Sequence, residues 1–112
     1  MKILIADSGS TKCDWMLIDE EGRSLMEFHT MGFNPYFHDA DLVQSKMTES
    51  SEAMGIASDV DRVYFYGAGS STQTMCEIIE RGLRAVFPTA EAPACYQAMI
   101  NAKHFGKLVV AD

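Results

Sequence analysis

The strongest constraint on the fold is a polar turn at residues 7–12, which separates two apolar strand patterns near the start of the chain. Residues 2–6 form a short β-branched run, typical of a strand buried on both faces. The apolar pattern resumes at residues 14–19, and residues 23–30 follow the turn at Gly22 as a third strand. Because short turns join antiparallel strands, three antiparallel strands are predicted to open the chain.

The middle of the chain alternates between helix and strand patterns. Apolar residues at helical spacing predict a helix over 39–54, with Asp39 as its N-cap and Gly55 as its C-terminal stop. Residues 32–37 are aromatic but contain Gly and Pro, which predicts a loop pinned by its rings.

The second half begins with a predicted strand at residues 62–66, which leads into a Gly-Ala-Gly turn. Ser70 and Gln73 form a possible capping box for the next helix, and Pro88 is expected to end it. A weaker pattern predicts a helix over 93–104. Residues 107–112 repeat the pattern of residues 2–7 and are predicted to form a last strand, with a generic buried strand and an internal duplication both open as explanations.

Length and charge limit the classes of function. We expect a single domain over residues 1–112, because domains usually contain about 100–200 residues. The formal net charge of −7 disfavours nucleic acid and anionic membrane surfaces as partners. The three cysteines lack disulfide or zinc spacing, and the first apolar run is too short for a signal peptide, so a cytoplasmic protein is expected.

The polar turn has the chemistry of an anion site. Its small residues let backbone N–H groups approach a phosphate, its hydroxyls and its lysine add donors, and Asp7 at the strand tip can hold Mg²⁺ through water. The residues concerned are Asp7, Ser8, Gly9, Ser10, Thr11 and Lys12. A hairpin turn rich in Ser and Gly for backbone reasons alone is the competing interpretation.

As a string, residues 7–15 (DSGSTKCDW) resemble the first phosphate motif of the actin-like sugar kinase and Hsp70 superfamily. Residues 32–37 (GFNPYF) and 64–69 (YFYGAG) follow at intervals that resemble the N-acetylglucosamine kinase-like branch, which includes the BadF/BadG-type ATPases. The resemblance covers residues 1–90, whereas residues 91–112 diverge. It implies an α/β, ribonuclease-H-like lobe: a mixed five-stranded sheet, its first three strands antiparallel, with helices on both faces.

The resemblance also implies a function and a set of site residues. ATP and Mg²⁺ would be the ligands and an amino sugar, N-acetylglucosamine in type, the phosphoryl acceptor. Asp7 would organise Mg²⁺ through water, and Gly9, Ser10 and Thr11 would meet the β- and γ-phosphates. Asn34 would bind a sugar hydroxyl, although an Asn before Pro also has a purely structural explanation. Gly67 and Gly69 would lie beside the cleft.

The chain departs from that pattern in two respects. No acidic residue stands where these kinases place the catalytic Asp, and Glu91 is not taken as a substitute, so the catalytic base is unknown. The second lobe of such kinases has no counterpart, so we expect the isolated chain to be inactive. A non-catalytic nucleotide-binding or interaction fragment, as a homodimer or paired with a second lobe, is the alternative hypothesis.

Two further interpretations are open on the sequence. Gly67 to Thr72 resembles the start of a dinucleotide fingerprint, but no βαβ unit precedes it and Thr72 occupies the place of the third glycine. A BadF/BadG-type activator with an iron–sulfur cluster would need closely placed thiolates, which Cys13, Cys76 and Cys95 do not provide.

Overall fold

The computed structural model describes residues 1–9, 11–67, 72–88, 90 and 94–97, the last four by backbone alone. Five strands form one mixed sheet in the order β3-β2-β1-β4-β5. The strands are β1 (Lys2–Ser8), β2 (Lys12–Asp19), β3 (Ser24–Met31), β4 (Arg62–Gly67) and β5 (Ala94–Gln97); the helices are α1 (Ala40–Thr48), α2 (Ser51–Ile56) and α3 (Gln73–Val86).

The predicted antiparallel opening is confirmed, because β1 pairs with β2 and β2 with β3 in antiparallel ladders. β4 then pairs parallel to β1, which makes the sheet mixed. In β3 the pairing register shifts opposite Leu17 and Ile18, and the apolar side chain of Leu25 is 49% exposed. Phe28, two pairs further along the ladder, is buried against Trp15 as the core anchor.

The predicted helix over 39–54 is two helices. Asp39 caps α1 as expected, its side chain accepting a hydrogen bond from the Leu42 N–H. Ser50 then takes an extended backbone conformation and caps α2 through the N–H of Ala53, so a second helix starts where the sequence pattern runs on. Gly55 lies inside α2 and is not its stop.

The α3 helix starts later than predicted but ends as expected. Its N-cap is Thr72, whose hydroxyl accepts from the N–H of Met75, in place of the predicted Ser70, which lies outside the described residues. The helix ends at Val86, just before Pro88.

The first four predicted strands are observed, whereas the fifth lies at a different place in the chain from the one predicted. The observed fifth strand, Ala94–Gln97, falls where a helix over 93–104 was predicted, because its backbone extends the sheet by pairing parallel with β4. The rest of that predicted helix and the predicted strand 107–112 lie outside the described residues.

The expectation of helices on both faces is wrong for the part of the chain that the structure describes. All three helices pack on the face formed by residues such as Leu4, Trp15 and Phe65. The α1 and α3 helices share that face because Gly82 allows close contact; a Cβ there would lie 2.7 Å from the Val43 Cβ. The opposite face carries a smaller cluster built on Ile3, Ile5 and Ile18. Of the described helices, none has the length and apolar character to cross a membrane.

Candidate functional site

The predicted site residues meet at one edge of the sheet. The β1, β3 and β4 strands end at this edge and β2 begins there, so Ser8 lies between Cys13 on β2 and Gly67 on β4 in the ladder. The β1–β2 turn, residues 9–11, projects from the same edge. The edge therefore gathers the backbone ends of four strands, an arrangement in which ligand sites of α/β sheets commonly form.

The β1–β2 turn is exposed and tightly closed. The Gly9 N–H donates to the Lys12 carbonyl at 2.8 Å, so this amide is used by the hairpin itself. Gly9, Thr11 and Lys12 are exposed, and the Lys12 Nζ lies 3.8 Å from a carboxylate oxygen of Asp14. Ser10 lies outside the described residues. Of the residues described in the turn, Thr11 and Lys12 thus offer the side-chain donors to an anion.

Ser8 differs from its predicted role. It ends β1 and is only 1% exposed, and its hydroxyl accepts a hydrogen bond from the Phe33 N–H at 2.9 Å. The same hydroxyl lies 3.4 Å from the Phe33 carbonyl, to which it can donate. The Ser8 hydroxyl is therefore engaged inside the protein and is not presented to a ligand.

The loop that follows β3, residues 32–38, packs directly on the β1–β2 turn. A Cβ on Gly32 would lie 2.2 Å from the Gly9 carbonyl oxygen and 3.0 Å from the Lys12 nitrogen. Since a side chain would overlap backbone atoms there, only glycine permits this approach. Phe33 is fully buried, whereas Tyr36 and Phe37 are 59% and 81% exposed, so only one of the three rings pins the loop.

Asn34 organises its own loop. Its side-chain oxygen accepts from the Tyr36 N–H at 3.0 Å, and its carbonyl accepts from the N–H groups of Phe37 and His38. The Asn34 N–H donates to the His38 Nδ1 at 2.9 Å. These bonds are the turn geometry typical of Asn before Pro. They occupy its Oδ1, and the side-chain NH₂ group is the part of Asn34 suited to contact a sugar hydroxyl.

Asp7 lies on the sheet face opposite Ser8, because side chains alternate along a strand. Its neighbours in the ladder are Asp14 on β2 and Tyr66 on β4. Partial burial, and to a smaller extent repulsion from Asp14, raises the pKa of Asp7 above its ordinary value. Asp14 also contacts His29, whose Nδ1 lies 2.7 Å from a carboxylate oxygen. This environment therefore favours the neutral form of Asp7 over an unpaired carboxylate, and a nearby cation would offset the repulsion from Asp14.

The oxygen donors near Asp7 suit Mg²⁺ better than a metal ion whose ligands all come from the protein. Among the described residues there is no cluster of three or more His, Cys, Asp or Glu that could enclose a metal ion. Mg²⁺ usually keeps several waters and binds through one or two carboxylates plus substrate phosphates, so a single strand-end carboxylate beside a turn with exposed donors is compatible with it.

The remaining predicted residues bear on the site less directly. Gly67 ends β4, and a Cβ on it would lie 2.2 Å from the Phe65 ring, so glycine is required there by close packing. Ala68 and Gly69 lie outside the described residues. Cys13 is buried, and burial raises the pKa of its thiol far above the ordinary value, so it is an inert core residue.

Neither of the two described surface depressions lies at the β1–β2 turn. One, of about 380 Å³, lies between the end of β3 and the α1–α2 junction, and is lined by residues such as Met31, Lys46 and Ser51. The other lies along the charged face of α3.

Sequence reasoning missed the contacts that join the turn to the loop. The Ser8–Phe33 bond and the Gly32–Gly9 contact bridge segments about 25 residues apart, and no local pattern indicates them. One signal could have predicted that Ser8 is buried: it continues the alternation that places Leu4 and Ala6 in the core.

Comparison with known proteins supports the resemblance read from the sequence. The chain is 34% identical, over 91% of its length, to the crystal structure of a candidate N-acetylglucosamine kinase from Porphyromonas gingivalis, with a TM-score of 0.77. It spans 36% of that protein. The predicted similarity to N-acetylglucosamine kinase-like proteins, over an N-terminal part only, is therefore confirmed.

A second solved structure is much less similar to this chain. A ligand-bound xylulose kinase from Lactobacillus acidophilus aligns over 59% of this chain and 16% of its own, at 14% identity and a TM-score of 0.36. No family profile and no curated protein matches the chain.

Proposed function

We propose that residues 1–112 form the N-terminal lobe of an ATP-dependent amino-sugar kinase, which transfers a phosphoryl group to a sugar hydroxyl. The observation that carries this proposal is the sheet edge where Asp7, the exposed turn and the Asn34 loop meet. The 34% identity to a candidate N-acetylglucosamine kinase supports the same substrate class.

The turn is proposed as the phosphate-binding element. Gly9 leaves room for a phosphate, because no side chain covers its exposed backbone, and the Thr11 hydroxyl and Lys12 ammonium provide donors. Ser10 completes the set in the proposal. Mg²⁺ bound near Asp7 through water would neutralise charge on the phosphate oxygens. Asp7 would hold the ion through water, while Lys12, whose Nζ lies 3.8 Å from a carboxylate oxygen of Asp14, adds a positive charge beside the turn.

The acceptor sugar is assigned to the side of the Asn34 loop. Asn34 Oδ1 is used within the loop, so the side-chain NH₂ group is proposed to donate to a sugar hydroxyl. Gly67 and Gly69 are proposed to line the cleft without obstructing it. Because phosphoryl transfer depends on positioning and exclusion of water, one lobe alone is expected to bind nucleotide without turning it over.

A MgATP titration of the chain by isothermal calorimetry tests the nucleotide site. The Asp7→Asn variant is expected to lose at least tenfold in affinity, because it keeps the size of the side chain and removes the charge that orients Mg²⁺. Asp59→Asn is the matched control, since Asp59 lies near Lys2 at the opposite end of β1. Equal binding by wild type and Asp7→Asn contradicts the assignment.

ADP release in the presence of N-acetylglucosamine, glucose or no sugar tests whether the chain turns nucleotide over on its own. Nucleotide binding without sugar-dependent turnover favours an N-terminal lobe or a non-catalytic binding fragment, as expected. Sugar-dependent turnover abolished by Asp7→Asn would mean that self-association completes the cleft. It would contradict the expected inactivity of the chain.

A further inference from the structure

The β1–β2 turn and the Asn34 loop are held together by two separate contacts. The first is the buried bond from the Phe33 N–H to the Ser8 hydroxyl, at 2.9 Å. The second is the backbone approach of Gly32 to Gly9, which excludes a side chain at residue 32. Ser8 is the buried polar residue of the described core; its hydroxyl accepts from the Phe33 N–H and can donate to the carbonyl of Gly9, at 3.3 Å, or of Phe33, at 3.4 Å.

Phe33 transmits this connection to the loop. Its ring is fully buried and meets the His38 ring edge-on, with centroids 6.5 Å apart. His38 in turn accepts from the Asn34 N–H. The position of Asn34 is therefore fixed at both ends of the loop, by Ser8 through Phe33 on one side and by His38 on the other.

We propose that Ser8 is a positioning residue that fixes the Asn34 loop against the β1–β2 turn, and not a phosphate ligand. This inference rests on the proposed function, because it assigns the turn to the nucleotide and the loop to the sugar. A hydroxyl at the strand end sets the separation between those two elements. Small displacements of one reacting partner are costly in group transfer, so this separation is a requirement of the reaction itself.

Ser8→Ala tests the inference directly, because it removes the acceptor and leaves the Phe33 amide buried without its partner. The first readout is hydrogen exchange at the Phe33 amide, where protection is expected to fall about tenfold relative to wild type. Ser8→Thr retains a hydroxyl and is expected to restore protection. Ser24→Ala is the matched control, since Ser24 is an exposed strand residue at the far end of β3.

The second readout is MgATP affinity at a temperature where circular dichroism shows every variant fully folded. A merely structural role would lower the free energy of unfolding and leave the affinity of the folded protein unchanged. The positioning role predicts a three- to tenfold weaker affinity for Ser8→Ala, with Ser8→Thr and Ser24→Ala close to wild type.

The outcomes separate the two proposals. If wild type fails to bind MgATP, the proposed function fails. If wild type binds and Ser8→Ala either keeps its Phe33 protection or keeps its MgATP affinity, the positioning role is overturned and the proposed function stands. Loss of MgATP binding by Ser8→Ala with Phe33 protection intact would instead return Ser8 to the role of phosphate ligand.

Discussion

Replacing Gly32 with alanine tests how closely the Asn34 loop must approach the turn. The new Cβ would lie 2.2 Å from the Gly9 carbonyl oxygen, a backbone atom that cannot rotate away. Since non-bonded heavy atoms pack near about 3.5 Å, the two segments would have to part by about 1.3 Å. Such a displacement would also stretch the Ser8–Phe33 hydrogen bond beyond the ordinary range of such bonds, since its donor and acceptor now lie 2.9 Å apart.

The expected cost follows from these two effects. Overpacking typically costs about 1–3 kcal/mol, and one buried hydrogen bond adds about 1 kcal/mol. We therefore expect Gly32→Ala to lower the free energy of unfolding by about 2–4 kcal/mol, measured by urea denaturation followed by the fluorescence of buried Trp15.

Gly55→Ala is the matched control for the same substitution. Gly55 lies within α2, and no atom comes within 4 Å of the position of a new Cβ. Alanine stabilises a helix relative to glycine, so this variant is expected to gain about 0.5–1 kcal/mol. Opposite signs for the two variants support the contact; a Gly32→Ala protein within about 0.5 kcal/mol of wild type would refute it.

Three further predictions concern single groups. Because the pKa of Asp7 is raised in the folded protein, the folded state keeps the Asp7 proton to higher pH than the unfolded chain does. The free energy of unfolding therefore falls as pH rises above the ordinary pKa of 3.8. Urea titrations should show Asp7→Asn more stable than wild type at pH 7, and this gain should vanish below pH 3.8. Burial raises the pKa of the Cys13 thiol and shields it from reagents. Mass spectrometry after iodoacetamide treatment should therefore find Cys13 unmodified in the native protein and modified in urea. Labelling of Cys13 in the native protein would contradict its burial. Thr72→Ala should lower the free energy of unfolding by about 1 kcal/mol through loss of the α3 N-cap. Thr74→Ala, at an exposed position inside the same helix, should leave it unchanged or raise it slightly. Equal effects of the two variants in urea denaturation would mean that Thr72 is not the cap.

Local patterns were sufficient to predict the first four strands, the start of α1 and the end of α3. Alternation and a β-branched run define β1, and Asp39 marks the start of α1 by a bond to a residue three positions away. Such signals lie within a few residues of what they specify, so one sequence is enough to read them.

The errors share a different physical origin. Ala94–Gln97 forms a strand because β4 offers it a hydrogen-bonding edge, and that edge comes from a segment some 30 residues earlier. Likewise α1 and α2 are separate because Ser50 satisfies the α2 N-terminus, although the apolar spacing continues across it. In both cases the deciding partner is distant or competes with the periodic pattern, and periodicity alone cannot weigh it.

Strand geometry could have predicted that the side chains of Asp7 and Ser8 have different surroundings. The predicted strand ended at residue 6, which left both residues in the turn as equivalent candidates for a ligand. The observed strand continues through Ser8, so its alternation sends the two side chains to opposite faces. Asp7 is placed beside Asp14, where a cation would relieve repulsion, and Ser8 enters the core, where a hydroxyl is tolerated only with a partner. Within β1, alternation therefore separates the two polar residues: Asp7 stays on the face away from the core cluster, and the Ser8 hydroxyl is used to hold the Asn34 loop against the turn.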